Sequence, residues 1–266
     1  MTSRIRDNTH VVIARGCPAL LVVVFIAGCG GSDGEPPPSS RSSTARTSAT
    51  PQAPPSSSQP SAAVAPVSPA AGAAGFVDVR TVVPDAVVDL RYATPNNFVG
   101  VALYPTDARC LVHESMAPGL KSAAAVLRHQ GEVLVFWDCY RPHGVQIRMF
   151  EAVPNPAWVA RPGTSARSHE AGRSVDVTIA RPQQVCPPPQ RAGGSCLVDM
   201  GTDFDDFSPS ATAFATDGVS AEAQANRARL RDAMGSGGLT VYMGEWWHFD
   251  GPGADVERPI LDVPVN

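Results

Sequence analysis

Ser168-His169-Glu170-Ala171-Gly172-Arg173-Ser174-Val175-Asp176 runs directly into Val177-Thr178-Ile179. Val175, Val177 and Ile179 alternate with Ser174, Asp176 and Thr178, the period-2 pattern of a half-buried strand. Asp176 therefore points away from the Val/Ile face, toward a site and not the core. His169 precedes the strand in a turn that contains Gly172, so its imidazole can converge with Asp176. Far downstream, Gly244-Glu245-Trp246-Trp247-His248 follows a second strand candidate, Leu239 to Met243. Two imidazoles and a carboxylate are ordinary zinc donors, and three protein ligands leave a fourth position for water. Glu245, three residues before His248, can face that water and take its proton. Glu-x-x-His also recurs by chance, so spacing alone leaves a zinc site and a pair of ordinary histidines both open. His10, His113, His129 and His143 fall outside this constellation.

The chain ahead of these stretches reads as export and tether. Arg4, Arg6 and Arg15 form a basic region before the short apolar run from Pro18 to Ala27. That run is too short for a comfortable permanent span and fits a signal segment, residues 1–28. Ile26-Ala27-Gly28-Cys29 resembles a bacterial lipobox, with cleavage before Cys29 and lipidation of its thiol. Ordinary cleavage near Ala27, giving a soluble secreted protein, is the alternative. Lipid chains would tether the domain to a membrane without embedding it, facing the periplasm or the cell exterior. Residues 29–75 are rich in Ser, Pro and Ala. Such a segment buries too little apolar surface to offset its chain entropy and reads as a disordered linker. Residues 76–266, roughly 190 in number, suffice for one domain with a sizeable core. The net charge of −4, with scattered basic residues, gives no sign of a nucleic-acid partner.

Within the domain, Cys110, Cys139, Cys186 and Cys196 are an even set in an exported chain, read first as disulfides. Cys186 and Cys196 flank a Pro/Gly-rich loop and form the local pair, which leaves Cys110 with Cys139. Val79 to Leu90 suggests an early strand region, and Arg91 to Gly100 a loop. Pro118 to Gln130 predicts a helix that stops at Gly131. Glu132 to Asp138 predicts a central strand that ends at Cys139-Tyr140-Arg141-Pro142. His143 to Ala152 and Asn226 to Met234 are further helical stretches. Arg141 is either an ion-pair partner or a guanidinium that stabilises an oxyanion. Tyr92 and Tyr104 suit either core packing or a pocket wall. The acidic run from Asp199 to Asp206 is either a solvated loop or a partner for a substrate ammonium.

Several pieces occur together in one order: Tyr92-Ala93-Thr94 with Asn97-Phe98 and Gly100, and Tyr140-Arg141-Pro142. They continue with His169-x-x-Gly172-x-x-x-Asp176, Met200-Gly201 with Phe204-Asp205, Asn226-x-x-x-Leu230-Arg231, and Glu245-Trp246-Trp247-His248. The set resembles the VanX-type D-alanyl-D-alanine dipeptidases, zinc enzymes related to D,D-carboxypeptidases, lysostaphin-like peptidases and the Hedgehog fold. The resemblance implies an α+β fold, one domain in which a small antiparallel sheet carries the zinc site and helices pack outside. It implies one zinc per chain held by His169, Asp176 and His248, with Glu245 as general base and Arg141 stabilising the tetrahedral intermediate. Asp205 and Tyr92 would recognise the free amino terminus of a small D-peptide, with Tyr104 nearby in the pocket. Many members carry Ser two residues before the first ligand. That position here is Arg167, which can itself bind a substrate carboxylate or shift the preference, and Ser168, one residue later, is a substrate-binding candidate. The implied activity is hydrolysis of D-Ala-D-Ala or similar D-dipeptides. A D,D- or L,D-carboxypeptidase acting on longer wall peptides and a non-catalytic wall-binding lipoprotein are the alternatives.

Overall fold

The computed structural model describes residues 63–182 and 185–266. The signal segment, Cys29 and the tether as far as residue 62 lie outside the described residues. Regular structure starts upstream of Phe76, where the sequence suggests only linker. Helix α1 (Pro69–Ala73) is capped by the Ser68 hydroxyl, which accepts from the Ala71 N–H, and Pro69 sits in its first turn. Arg109 reaches back to the carbonyls of Ala65 and Pro66 while Asp78 holds the same guanidinium. These are backbone and charge contacts, which a composition poor in large apolar residues does not reveal.

Strand β1 (Phe76–Asp78) leads into α2 (Val79–Val82) and then β2 (Val87–Val88). The expected early strand is thus half helix. The Asp78 carboxylate caps the Arg80 N–H, starting a helical turn in an otherwise β-prone run. Strand β3 (Leu111–His113) pairs with β1. Helix α3 (Ala117–Arg128), strand β4 (Val133–Asp138) and helix α4 (His143–Ala152) follow close to their expected places. Then come β5 (Ser174–Pro182), β6 (Arg191–Ala192), β7 (Ser195–Leu197), α5 (Ala221–Ser236), β8 (Thr240–Val241) and β9 (His248–Asp250).

Strand β5 is the axis of the main sheet. One edge pairs with β4 along most of its length; the other pairs with β9 over Ser174–Asp176 and with β7 over Ala180–Pro182. Among the described residues, only β2, beside β4, runs parallel to its neighbour; the other pairings are antiparallel. The fold is α+β, as expected. One feature of β5 differs from the period-2 reading, because its polar face is buried along with its Val/Ile face. Burying polar groups is costly unless they are hydrogen-bonded. Asp176 meets this by facing two histidines, and Ser174 by bonding Asp250.

In α3, Leu120, Ala123, Ala124 and Leu127 are buried at helical spacing and form the apolar stripe read from the sequence. Helix α5 packs against α3, and Gly119 allows that approach: a Cβ there would lie 2.6 Å from the Gly237 carbonyl oxygen. Both expected disulfides are present, Cys110–Cys139 and Cys186–Cys196. The first closes 29 residues of sequence, and a loop of that length contributes about 3–4 kcal/mol in the chain-entropy account. It also pins the end of β4, which matters for the site below.

Candidate active site

The β5–β9 register sets Asp176 directly opposite His248, so one antiparallel pair brings these side chains together. His169 arrives from a 3-10 turn, Ser168–Ala171, that ends at Gly172 in the left-handed region (φ 63). A Cβ at Gly172 would collide with the Phe76 ring, so both the backbone angle and the packing call for glycine. The three donor atoms form a tight triangle. His169 Nε2 lies 3.2 Å from Asp176 Oδ1 and 3.1 Å from His248 Nδ1, and His248 Nδ1 lies 3.1 Å from Asp176 Oδ1.

The outer hydrogen bonds settle which imidazole nitrogens face inward. His169 Nδ1 donates to the Cys139 carbonyl at 2.8 Å, and that carbonyl can only accept. His248 Nε2 donates to the Asp250 carboxylate at 3.1 Å. Each ring therefore turns a lone pair toward Asp176. Two lone pairs and a carboxylate oxygen at such distances repel unless a cation sits among them, so the donor set suits a metal ion. Burial works against charge on both acidic and basic members, yet the mutual contacts win. His169 and His248 hold the Asp176 carboxyl below the usual carboxylate range. As acceptors for both ring N–H groups of a protonated His248, the Asp176 and Asp250 carboxylates push its pKa up to about 10, so a metal at Nδ1 takes the place of a proton. Asp250 is itself fixed by the Ser174 hydroxyl, which in turn accepts from Ser168 at 2.9 Å. Asp250→Ala is expected to weaken metal binding by about 10–100-fold, measured by chelator competition. An unchanged affinity would show that Asp250 does not orient His248.

Glu245 stands beside the triangle, with Oε2 3.7 Å from His248 Nδ1. The second strand candidate is shorter than its sequence suggests and ends at Val241. Tyr242 N–H bonds the His248 carbonyl and Glu245 N–H bonds the Tyr242 carbonyl, so the chain turns tightly and brings the carboxylate back over the ligands. The fully buried Trp246 and Trp247 lock this turn: Trp246 N–H donates to Ala211, and Val177 N–H donates to the Trp247 carbonyl. Burial pushes the Glu245 carboxyl up, with His248 opposing.

Arg141 lies on the other side. Its Nε donates to Asp138 Oδ2 at 2.9 Å and its Nη1 to Gln146 Oε1 at 2.8 Å, while Nη2 is 3.7 Å from Asp176 Oδ2. Its guanidinium lies 5.5 Å from the centre of the Tyr92 ring. The Tyr92 hydroxyl donates to Asp205 Oδ2 at 2.9 Å. Burial, with the Asp176 charge next, pushes the Asp205 carboxyl well above its ordinary range. All these groups except Asp138 line one cleft of about 480 Å³, walled also by residues 156–161, Phe207, Tyr242 and Trp247. Among the described residues, the two non-glycine positions in the left-handed region are Ser168 (φ 52) and Asp205 (φ 57), and both line this cleft. Such strain gathers at functional sites.

Residues 72–266 match the family model of Peptidase M15, described as D-ala-D-ala dipeptidase. The chain belongs to the Peptidase M15 family. A D-alanyl-D-alanine dipeptidase of Escherichia coli (strain K12) is 32% identical over 185 residues, 70% of this chain and 88% of its own length. A D-alanyl-D-alanine dipeptidase of Enterococcus faecium is 28% identical over 216 residues, 72% of this chain and 98% of its own length.

In this Peptidase M15 chain the structure brings His169, Asp176, His248, Glu245, Arg141, Asp205, Tyr92 and Ser168 to one cleft. Tyr104 is placed elsewhere. It is buried, and its hydroxyl donates to Asp138 Oδ1 at 2.6 Å, so it stands behind Arg141 instead of in the cleft wall. Three polar residues about the site escape the sequence reading: Asp138, Gln146 and Asp250. Asp250 had a usable signal, since it sits two residues after His248 and a strand puts both on one face. Asp138 and Gln146 carried none beyond their nearness to Arg141 in the chain.

Proposed function

We propose that this Peptidase M15 member is a zinc dipeptidase that cleaves D-Ala-D-Ala or a similar short D-peptide. The observation that carries the reading is the His169–Asp176–His248 donor triangle with the Glu245 carboxylate beside it. Bonds of about 2.0–2.1 Å at tetrahedral angles imply ligand separations near roughly 3.3 Å, and the edges of 3.1–3.2 Å suit zinc. Zinc held there would supply Lewis acidity at the scissile carbonyl and acidify water toward neutral pH.

The chain's own residues do the rest. Glu245 accepts the proton of the attacking water and later returns it to the leaving amine. Its raised affinity for protons suits both halves of that task. Arg141, held from behind by Asp138 and Gln146, offers its remaining N–H groups to the oxygen that gains charge. Asp205 takes the substrate's ammonium. Burial holds the Asp205 carboxyl against losing a proton, and an incoming ammonium beside it would favour the charged form. Purified protein loaded with zinc is expected to release D-alanine from D-Ala-D-Ala, to lose that activity to a chelator and to regain it with zinc. Release from a pentapeptide but not from the dipeptide would favour the carboxypeptidase instead.

Export and lipid attachment at Cys29 complete the proposal. An exported enzyme meets peptides from wall turnover or scavenging, not a cytosolic precursor pool. Cys29→Ser is expected to move the protein from the membrane fraction to the soluble fraction, and an unchanged distribution would remove the anchor.

A further inference from the structure

Gln146 lies in the first turns of α4 and is only 3% exposed. Both ends of its amide are used. Oε1 accepts from Arg141 Nη1 at 2.8 Å, and Nε2 donates to the Ala160 carbonyl at 2.6 Å. The amide cannot flip, because a guanidinium only donates and a carbonyl only accepts. The Arg141 end bears on the oxyanion role proposed above. The Ala160 end bears on the cleft wall, since Pro156, Ala157, Trp158, Val159, Ala160 and Arg161 all line the cavity.

That wall has no regular secondary structure to hold it. Between Val153 and Ser165 the chain forms no helix or strand. Its other ties are Val159, buried in the core, a turn at Asn155, the Trp158 ring 5.6 Å from Phe207, and the Arg161 guanidinium 4.8 Å from the Phe150 ring. Among the hydrogen bonds of the described residues, the part-buried bond from this locked amide is the one that joins the wall to a partner of Arg141.

We propose that Gln146 is a positioning residue that couples substrate capture by the 156–161 wall to the placement of Arg141. The proposal rests on the dipeptidase reading and adds to it a specificity device. A peptide that seats well against the wall keeps Ala160, Gln146 and Arg141 in register, whereas one that displaces the wall pulls Arg141 off the oxyanion. The wall thereby selects for peptides short enough to leave it undisturbed.

Two substitutions separate the two ends of the link. Gln146→Glu keeps an acceptor for Arg141 and removes the donor to Ala160. Gln146→Met removes both. For Gln146→Glu, KM for D-Ala-D-Ala is expected to rise about tenfold with kcat nearly unchanged. For Gln146→Met, kcat is expected to fall by a further factor of about 10–100. Zinc content should stay at the wild-type level in both variants, because neither end of the amide touches a ligand. Amide hydrogen exchange across residues 154–165 should quicken in both variants, and this readout needs no substrate. Unchanged exchange in this segment, or an equal loss of kcat in both variants without a rise in KM, would overturn the coupling. A wild-type protein that releases no D-alanine would instead overturn the dipeptidase reading, and the exchange experiment would still decide whether Gln146 holds the wall.

Discussion

Glu245→Gln is expected to lower kcat by about 10³-fold, within the usual range for losing a general acid–base group, while one metal ion per chain is retained. The substitution keeps the size of the side chain and removes its ability to accept a proton. Metal binding should persist because Glu245 is not one of the triangle atoms; its Oε2 lies 3.7 Å from His248 Nδ1, outside the set spaced at 3.1–3.2 Å. The turn that carries it should also survive, since Tyr242, Trp246 and Trp247 hold it through backbone bonds. The two measurements are D-alanine release and zinc content on the same preparation. A variant with more than a tenth of wild-type turnover would mean that another group takes the proton. Loss of the metal along with activity would mean that Glu245 is a ligand.

Arg141→Lys is expected to lower kcat by about 10²–10³-fold with a small change in KM, the size seen when one oxyanion donor is removed. Lysine is the informative replacement here. Alanine would leave Asp138 buried without its cation, and breaking such a pair costs about 3–5 kcal/mol, enough to confuse folding with catalysis. Lysine keeps the charge beside Asp138 but cannot also bond Gln146 and present a fork of N–H groups to the cleft. Asp138 in turn accepts from Tyr104, so the whole buried chain Tyr104–Asp138–Arg141–Gln146 presents one guanidinium in one pose. Steady-state kinetics on D-Ala-D-Ala check the prediction. A tenfold rise in KM with kcat intact would place Arg141 in ground-state binding instead.

Much of this was legible along the chain. The helices α3 and α4 and strand β4 lie close to where periodicity and turn residues put them, because each has a long run of consistent local signal. The first turn after Asp78 reads as strand along the chain but folds as helix, since a capping carboxylate outweighs its β-prone neighbours. The second strand candidate ends early because the local hydrogen-bonded turn made by Tyr242 and Glu245 breaks the extended run.

What the sequence determined by itself is the chemistry of the donors and the alternation that turns Asp176 out of the Val/Ile face. Those follow from residue type and from the two-residue repeat of an extended chain, both local properties. Only the tertiary structure decided that β9 pairs with β5 in the register that sets His248 against Asp176, and that Cys139 offers a carbonyl to His169. It alone placed Tyr104 behind Arg141 and joined Gln146 to Ala160. Such pairings join residues up to 76 positions apart in the ligand strands, Ser174 opposite Asp250, and packing over the whole domain selects them. No local pattern carries that information.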